Sequence, residues 1–163
     1  MAGDPSHSSL AMLDHLARLS RAQTEASLAE IGLRTRHFVA LTVLRDHAPA
    51  TQQALATVLA IDRTNLVGLL NELEADGYIE RRRASEDRRR HIVVLTDAGE
   101  RVLAQAEAGV AQAEDALLLG LDEDERRVLF QLLQRATSGH VLDCVGAAGM
   151  RSDRTAAATA TTA

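Results

Sequence analysis

The stretch from Thr51 to Leu95 constrains the fold most, because its apolar spacing changes partway from helical to extended. Thr51 can cap a short helix over Gln52 to about Leu59, and Asp62 a second one from Arg63 to about Asp76. The second carries Leu66, Leu69, Leu70 and Leu73 as an apolar stripe, and Gly77 closes it. Two such helices joined by Ala60-Ile61-Asp62 have the proportions of a helix-turn-helix. Tyr78 to Arg81 and the β-branched run His91 to Leu95 then read as two strands. The polar, Arg-rich segment between them predicts a hairpin with a charged tip.

Helical spacing also governs both flanks. Leu10, Leu13, Leu16 and Leu19 mark an amphipathic helix to about Glu30, ended by Gly32. Thr35 is expected to cap a second helix, with Phe38, Leu41 and Leu44 on one face, stopping near His47 before Pro49. After the strands, Thr96 caps a long helix to about Leu119. Gly109 is expected to weaken its middle by about 1 kcal/mol relative to Ala. Acidic residues from Asp122 to Glu125 open a last helix, where its dipole favours them, and Val128, Leu129, Leu132 and Leu133 form its apolar face. Residues 155–163 are only Ala and Thr, a composition that builds no core. The fold class expected is mainly α with a small β-wing. Residues 1–8 and 140–163 are expected to be disordered, residues 35–96 to form a winged helix-turn-helix lobe, and residues 9–34 and 97–139 a helical dimerisation region.

Composition removes several functions. The net charge of −5 excludes a uniformly basic nucleic-acid coat. Residues 81–90 nevertheless hold six arginines against Glu86 and Asp87, a local +4 that leaves −9 on the rest. Aromatics are 2%, too few for a base-stacking platform. A single cysteine, Cys144, builds no disulfide framework within one chain. No stretch approaches a membrane span, no signal peptide is evident, and the expected location is the cytoplasm. Nucleotide-loop, nucleophile-elbow and H-E-x-x-H motifs are missing, so an enzyme and a bound cofactor are not expected.

Two pieces of the sequence carry a family resemblance. One is Asp62-Arg63-Thr64-Asn65-Leu66 followed by Leu73-Glu74-Ala75-Asp76-Gly77-Tyr78-Ile79; the other is Asp87-Arg88-Arg89 followed by Val94-Leu95-Thr96 and Gly99. With this spacing the chain resembles the MarR family of winged helix-turn-helix regulators over about residues 10–138. Ala60 departs from the family's common Gly, and an unstrained backbone is expected there. The resemblance implies a homodimeric regulator, most simply a repressor, on a pseudo-palindromic double-stranded DNA operator. It also implies that the first and last helices pack on a second chain through Leu10, Leu13, Leu16, Val128, Leu129 and Leu132.

A recognition helix puts its N-terminal residues into the major groove. Arg63, Thr64 and Asn65 occupy that first turn; Arg can pair with guanine and Asn with adenine. Gly68 leaves the outer face bare for close approach. Thr51 and Gln52 suit phosphate contacts. Arg88, Arg89 and Arg90 at the wing tip suit a narrow minor groove, and the resemblance implies that Asp87 holds Arg89. Arg81, Arg82 and Arg83 suit phosphates, which supply affinity but no sequence information.

The resemblance further implies release of DNA by a small aromatic or anionic effector, with His15, Arg18, Arg21, His37 and Phe38 as candidate liners. Two other readings stay open. A helical protein-interaction module explains the amphipathic helices but leaves the wing arginines idle. A redox-sensing regulator would use Cys144, which no neighbouring residue marks as activated. No His pair has the i,i+4 spacing of a helical metal site.

Overall fold

The structure, a computed structural model, describes residues 8–48, 50–83 and 91–138. Pro49, the wing tip with Asp87, Arg88, Arg89 and Arg90, Cys144, the terminal segment 140–163 and all of residues 1–8 except Ser8 lie outside them.

Among the described residues six helices and three short strands follow one another: α1 (Ser9–Glu30), α2 (Thr35–His47), β1 (Ala50–Thr51), α3 (Gln52–Leu59), α4 (Arg63–Ala75), β2 (Ile79–Arg83), β3 (His91–Leu95), α5 (Asp97–Leu117) and α6 (Glu123–Thr137). The caps explain most of the boundaries. The Thr51 hydroxyl accepts from the Ala54 N–H at 3.2 Å, and the Thr96 hydroxyl from the Gly99 N–H at 3.0 Å. Thr96 also donates to the Gly77 carbonyl at 2.7 Å, which ties the end of the wing to the end of α4. Asp122 and Glu125 form a reciprocal capping box at the start of α6.

Three expectations change. Thr35 does not cap α2; Arg34 holds the cap position without a side-chain bond, and Thr35 is the first helical residue. Nor is α2 one-sided: His37 and every residue from Val39 to Leu44 are buried, because helices and sheet surround it. Ala60 is strained after all. It adopts a left-handed conformation (φ 52°, ψ 38°) that costs an L-residue with a Cβ roughly 1–2 kcal/mol. In return, the N–H groups of Ala60 and Ile61 reach the carbonyls of Thr57 and Ala56 and close α3.

The strands form one antiparallel sheet in the order β1-β3-β2, with Ile79 opposite Leu95 and Arg83 opposite His91. β1 was not foreseen; it pairs Ala50 with Val93. Beneath the sheet, Leu41, Leu44, Leu55, Leu66, Leu70, Leu73, Ile79, Val93 and Leu103 belong to one apolar core. Gly109 lies where α1 and α5 meet. A Cβ there would stand 2.4 Å from the Ser27 Oγ and 3.8 Å from its Cβ, so a larger residue requires the Ser27 hydroxyl to rotate away. No described helix is long and apolar enough to cross a membrane.

Candidate nucleic-acid interface

Helix α4 is held from below and presented from above. Leu66, Leu69, Leu70 and Leu73 are buried, while Arg63, Thr64, Asn65, Val67 and Gly68 stay exposed. The Asp62 carboxylate caps the helix by accepting from the N–H groups of Thr64 (2.9 Å) and Asn65 (3.0 Å). These bonds, that of Asn65 foremost, hold the Asp62 carboxyl below its usual range. The Asn65 amide also turns back and donates to Asp62. That bond uses one of the two amide hydrogens of Asn65.

A hollow of about 370 Å³ between the starts of α3 and α4 is lined by Gln52, Gln53, Ala56, Arg63 and Leu66. It brings together Gln52 and Arg63, which the sequence had singled out separately. Thr51 sits at its edge in the chain, with its hydroxyl engaged in the α3 cap.

On the wing the arginines divide. Arg81, expected at a phosphate, is drawn inward instead. Its side chain is 22% exposed and reaches Glu74 Oε2 at 2.9 Å and Asn71 Oδ1 at 2.7 Å. Its backbone N–H also meets Glu74 Oε1 at 3.3 Å, so β2 is fastened to α4 twice over. Arg82 pairs with Glu80. Arg83 is exposed, with no ion pair among the described residues. Asp87, Arg88, Arg89 and Arg90 lie outside the described residues.

Glu72 is a residue that sequence reasoning missed. It gathers Arg36 Nη2 at 2.5 Å, His37 Nε2 at 2.8 Å and Arg34 Nη1 at 3.8 Å, all from the start of α2. His37 foremost, then Arg36, holds the Glu72 carboxyl below its usual range. This cluster anchors α4 to α2 from the side. Nothing in the spacing of residue 72 announces it, since Arg36 lies 36 positions away.

The five candidate effector liners are dispersed. His37 is buried on Glu72 and Phe38 is partly buried on the core. His15, Arg18 and Arg21 are exposed on α1, and Arg18 pairs with Asp14. A second hollow, of about 440 Å³, opens between α1, α5 and α6 over Leu13, Leu16, Gln23, Val110, Leu117 and Phe130, and none of the five lines it. Among the described residues no group of three His, Cys, Asp or Glu could hold a metal ion.

Residues 31–90 match the model of the MarR family. A Thauera aromatica protein named for transcriptional regulation of the hcr operon is 34% identical over 95 residues, 58% of this chain. The chain spans 57% of that relative's length. Among solved structures, a MarR variant from E. coli complexed with operator DNA is 25% identical with a TM-score of 0.63, covering 77% of this chain and 90% of its own. BpsR of Bordetella bronchiseptica, whose DNA binding is regulated by 6-hydroxynicotinic acid, is 22% identical with a TM-score of 0.65, covering 84% and 98%. The second of these likenesses is one of fold.

Proposed function

We propose that the chain, whose residues 31–90 match the model of the MarR family, is a transcriptional regulator of that family and acts as a homodimeric, effector-responsive repressor on a pseudo-palindromic operator. The observation that carries this reading is the exposure of Arg63, Thr64 and Asn65 on a helix whose opposite face is buried to the last leucine. Such a helix is rigid from behind and free in front, as major-groove reading needs. In this reading Thr51, Gln52 and Arg83 meet phosphates. Arg88, Arg89 and Arg90 approach the minor groove, with Asp87 holding Arg89. The operator-bound E. coli neighbour supports it by fold and by ligand.

Two further observations support the finer points. Helix α6 buries none of its residues, yet Val128, Phe130 and Leu132 lie exposed on it, as Leu10 and Leu13 do on α1. A second chain would cover these faces and place two recognition helices about 34–36 Å apart, one turn of DNA. The hollow between α1, α5 and α6 offers apolar walls to a small aromatic effector, and the fold is shared with a regulator whose DNA binding responds to 6-hydroxynicotinic acid.

Selection of the full chain's sites from random duplex DNA tests the reading. Enrichment of one inverted-repeat motif is expected, with log affinity falling linearly in log salt at a slope of about −0.9 per phosphate contacted. Recovery of no motif would leave the helical interaction module as the better account.

A further inference from the structure

The middle of the outward face of α4 carries an arrangement that matches one base. Val67 and Asn71 are four residues apart, hence neighbours on the helix surface, and both are exposed. Val67 is a large apolar side chain left 36% exposed. Beside it, Gly68 has no structural reason to be glycine. A Cβ there would meet nothing within 4 Å, and alanine is the better helix former. The bare position lets a partner come close to the helix at this level.

Asn71 is committed in one direction. Its Oδ1 accepts from Arg81 Nη2 at 2.7 Å, and Arg81 is itself held by Glu74. The amide nitrogen has no partner among the described residues. One of the two lone pairs on Asn71 Oδ1 is thus taken by Arg81, while its amide nitrogen is unengaged, so Asn71 is the freer as a donor. An unrestrained Asn pairs with adenine by donating to N7 and accepting from N6; here Arg81 competes for the accepting half. In the major groove thymine presents an O4 acceptor beside a C5-methyl group, cytosine presents an N4 donor, and guanine presents acceptors without a methyl. Only thymine satisfies a fixed donor and an apolar neighbour together.

We propose that Val67 and Asn71 read one thymine in each half-site, Val67 against the C5-methyl and Asn71 Nδ2 donating to O4, with Arg81 as the positioning residue. This rests on the DNA-binding reading above. The experiment starts from the motif selected by the full chain, in which each thymine is replaced in turn by deoxyuridine, which lacks only the methyl group, or by 5-methylcytosine opposite guanine, which retains the methyl but exchanges the acceptor for a donor.

At one thymine per half-site deoxyuridine is expected to weaken binding about fourfold, the worth of one buried methyl. In Val67→Ala the same replacement is expected to cost nothing further. 5-Methylcytosine there is expected to weaken wild-type binding roughly tenfold, and Asn71→Asp, an acceptor on the same exposed position, to prefer cytosine over thymine. Arg81→Met is expected to admit adenine at that position alone, while Arg81→Lys, which retains a donor, retains thymine. Should Arg81→Met lose all binding through misfolding, Asn71→Asp decides. A motif in which every thymine tolerates deoxyuridine, or an Asn71→Asp variant with unchanged base preference, overturns the assignment and leaves DNA binding intact. Selection of no motif overturns both.

Discussion

Helices α4 and α6 are both amphipathic, and they end differently. The apolar stripe of α4 disappears into the core, with Leu70 and Leu73 fully buried. The stripe of α6 does not; Leu132 is 52% exposed, and at the far end of the chain Leu10 on α1 is 78% exposed. Charged contacts fasten both helices: Glu72 and Glu74 of α4 bind Arg36 and Arg81 from α2 and β2, and Arg126 of α6 binds Asp115 of α5 at 2.5 Å, while Arg127 pairs with Glu123 and Asp124 of its own helix. An amphipathic pattern thus states that a face will be covered, not by what. In the lobe the covering partner is the same chain; on α6 Val128 and Leu132 stay exposed.

The largest expected effect tests the lobe half of that contrast. Leu70→Ala is expected to lose about 2–5 kcal/mol in chemical denaturation, because the cavity left beneath α4 has rigid walls. Next comes the wing. Arg89→Ala is expected to weaken binding to the selected operator by about 1–3 kcal/mol, read by fluorescence anisotropy, with the melting temperature unchanged; wild-type affinity would remove the wing from the interface. Leu132→Arg should do the reverse. Its dimer dissociation constant, measured by sedimentation, is expected to rise at least tenfold, about 1.4 kcal/mol, while the lobe still unfolds at the wild-type denaturant midpoint. A lobe that melts with it would show that the two regions form a single core.

Smaller effects sharpen the picture within the lobe. Ala60→Gly is expected to raise stability by about 1 kcal/mol, since glycine adopts the left-handed conformation without the Cβ penalty. Loss of stability in that variant would mean that the turn's strain lies elsewhere. The smallest effect concerns acid. Glu72 is held below its usual value near 4.5, so its cluster stabilises the fold above that pH and the contribution fades as pH falls through the lowered value. Wild type should therefore exceed Glu72→Gln in denaturant midpoint at pH 7, by a margin that narrows as pH falls below 4.5. An advantage that persists in acid would show that packing, not charge, is what Glu72 supplies.

Features carried by near neighbours were legible in the sequence. The caps at Thr51, Asp62 and Thr96 act on N–H groups two or three residues away, and the stripe Leu66-Leu69-Leu70-Leu73 spans two turns of one helix. The exposed first turn of α4 follows from those same local facts. Features that depend on distant partners were not. β1 is two residues long and exists because β3 offers it an edge. Arg81 looked like one more phosphate contact until Glu74 and Asn71 were found beside it. His37 looked available to an effector until α4 placed Glu72 against it. Ala60 looked indifferent because a residue's letter does not reveal which way the chain must turn there.

Local periodicity and capping therefore settled which segments are helices, where most of them begin, and which helix carries an exposed polar first turn. Those choices are decided within a few bonds along the chain, where backbone hydrogen bonds and side-chain spacing act. Folding alone decided which charged residues are spent inside the protein, which glycine lies where two helices meet and which merely leaves a face bare. Those outcomes depend on residues tens of positions apart, whose proximity is set by packing of the whole core and is written in no single stretch of sequence.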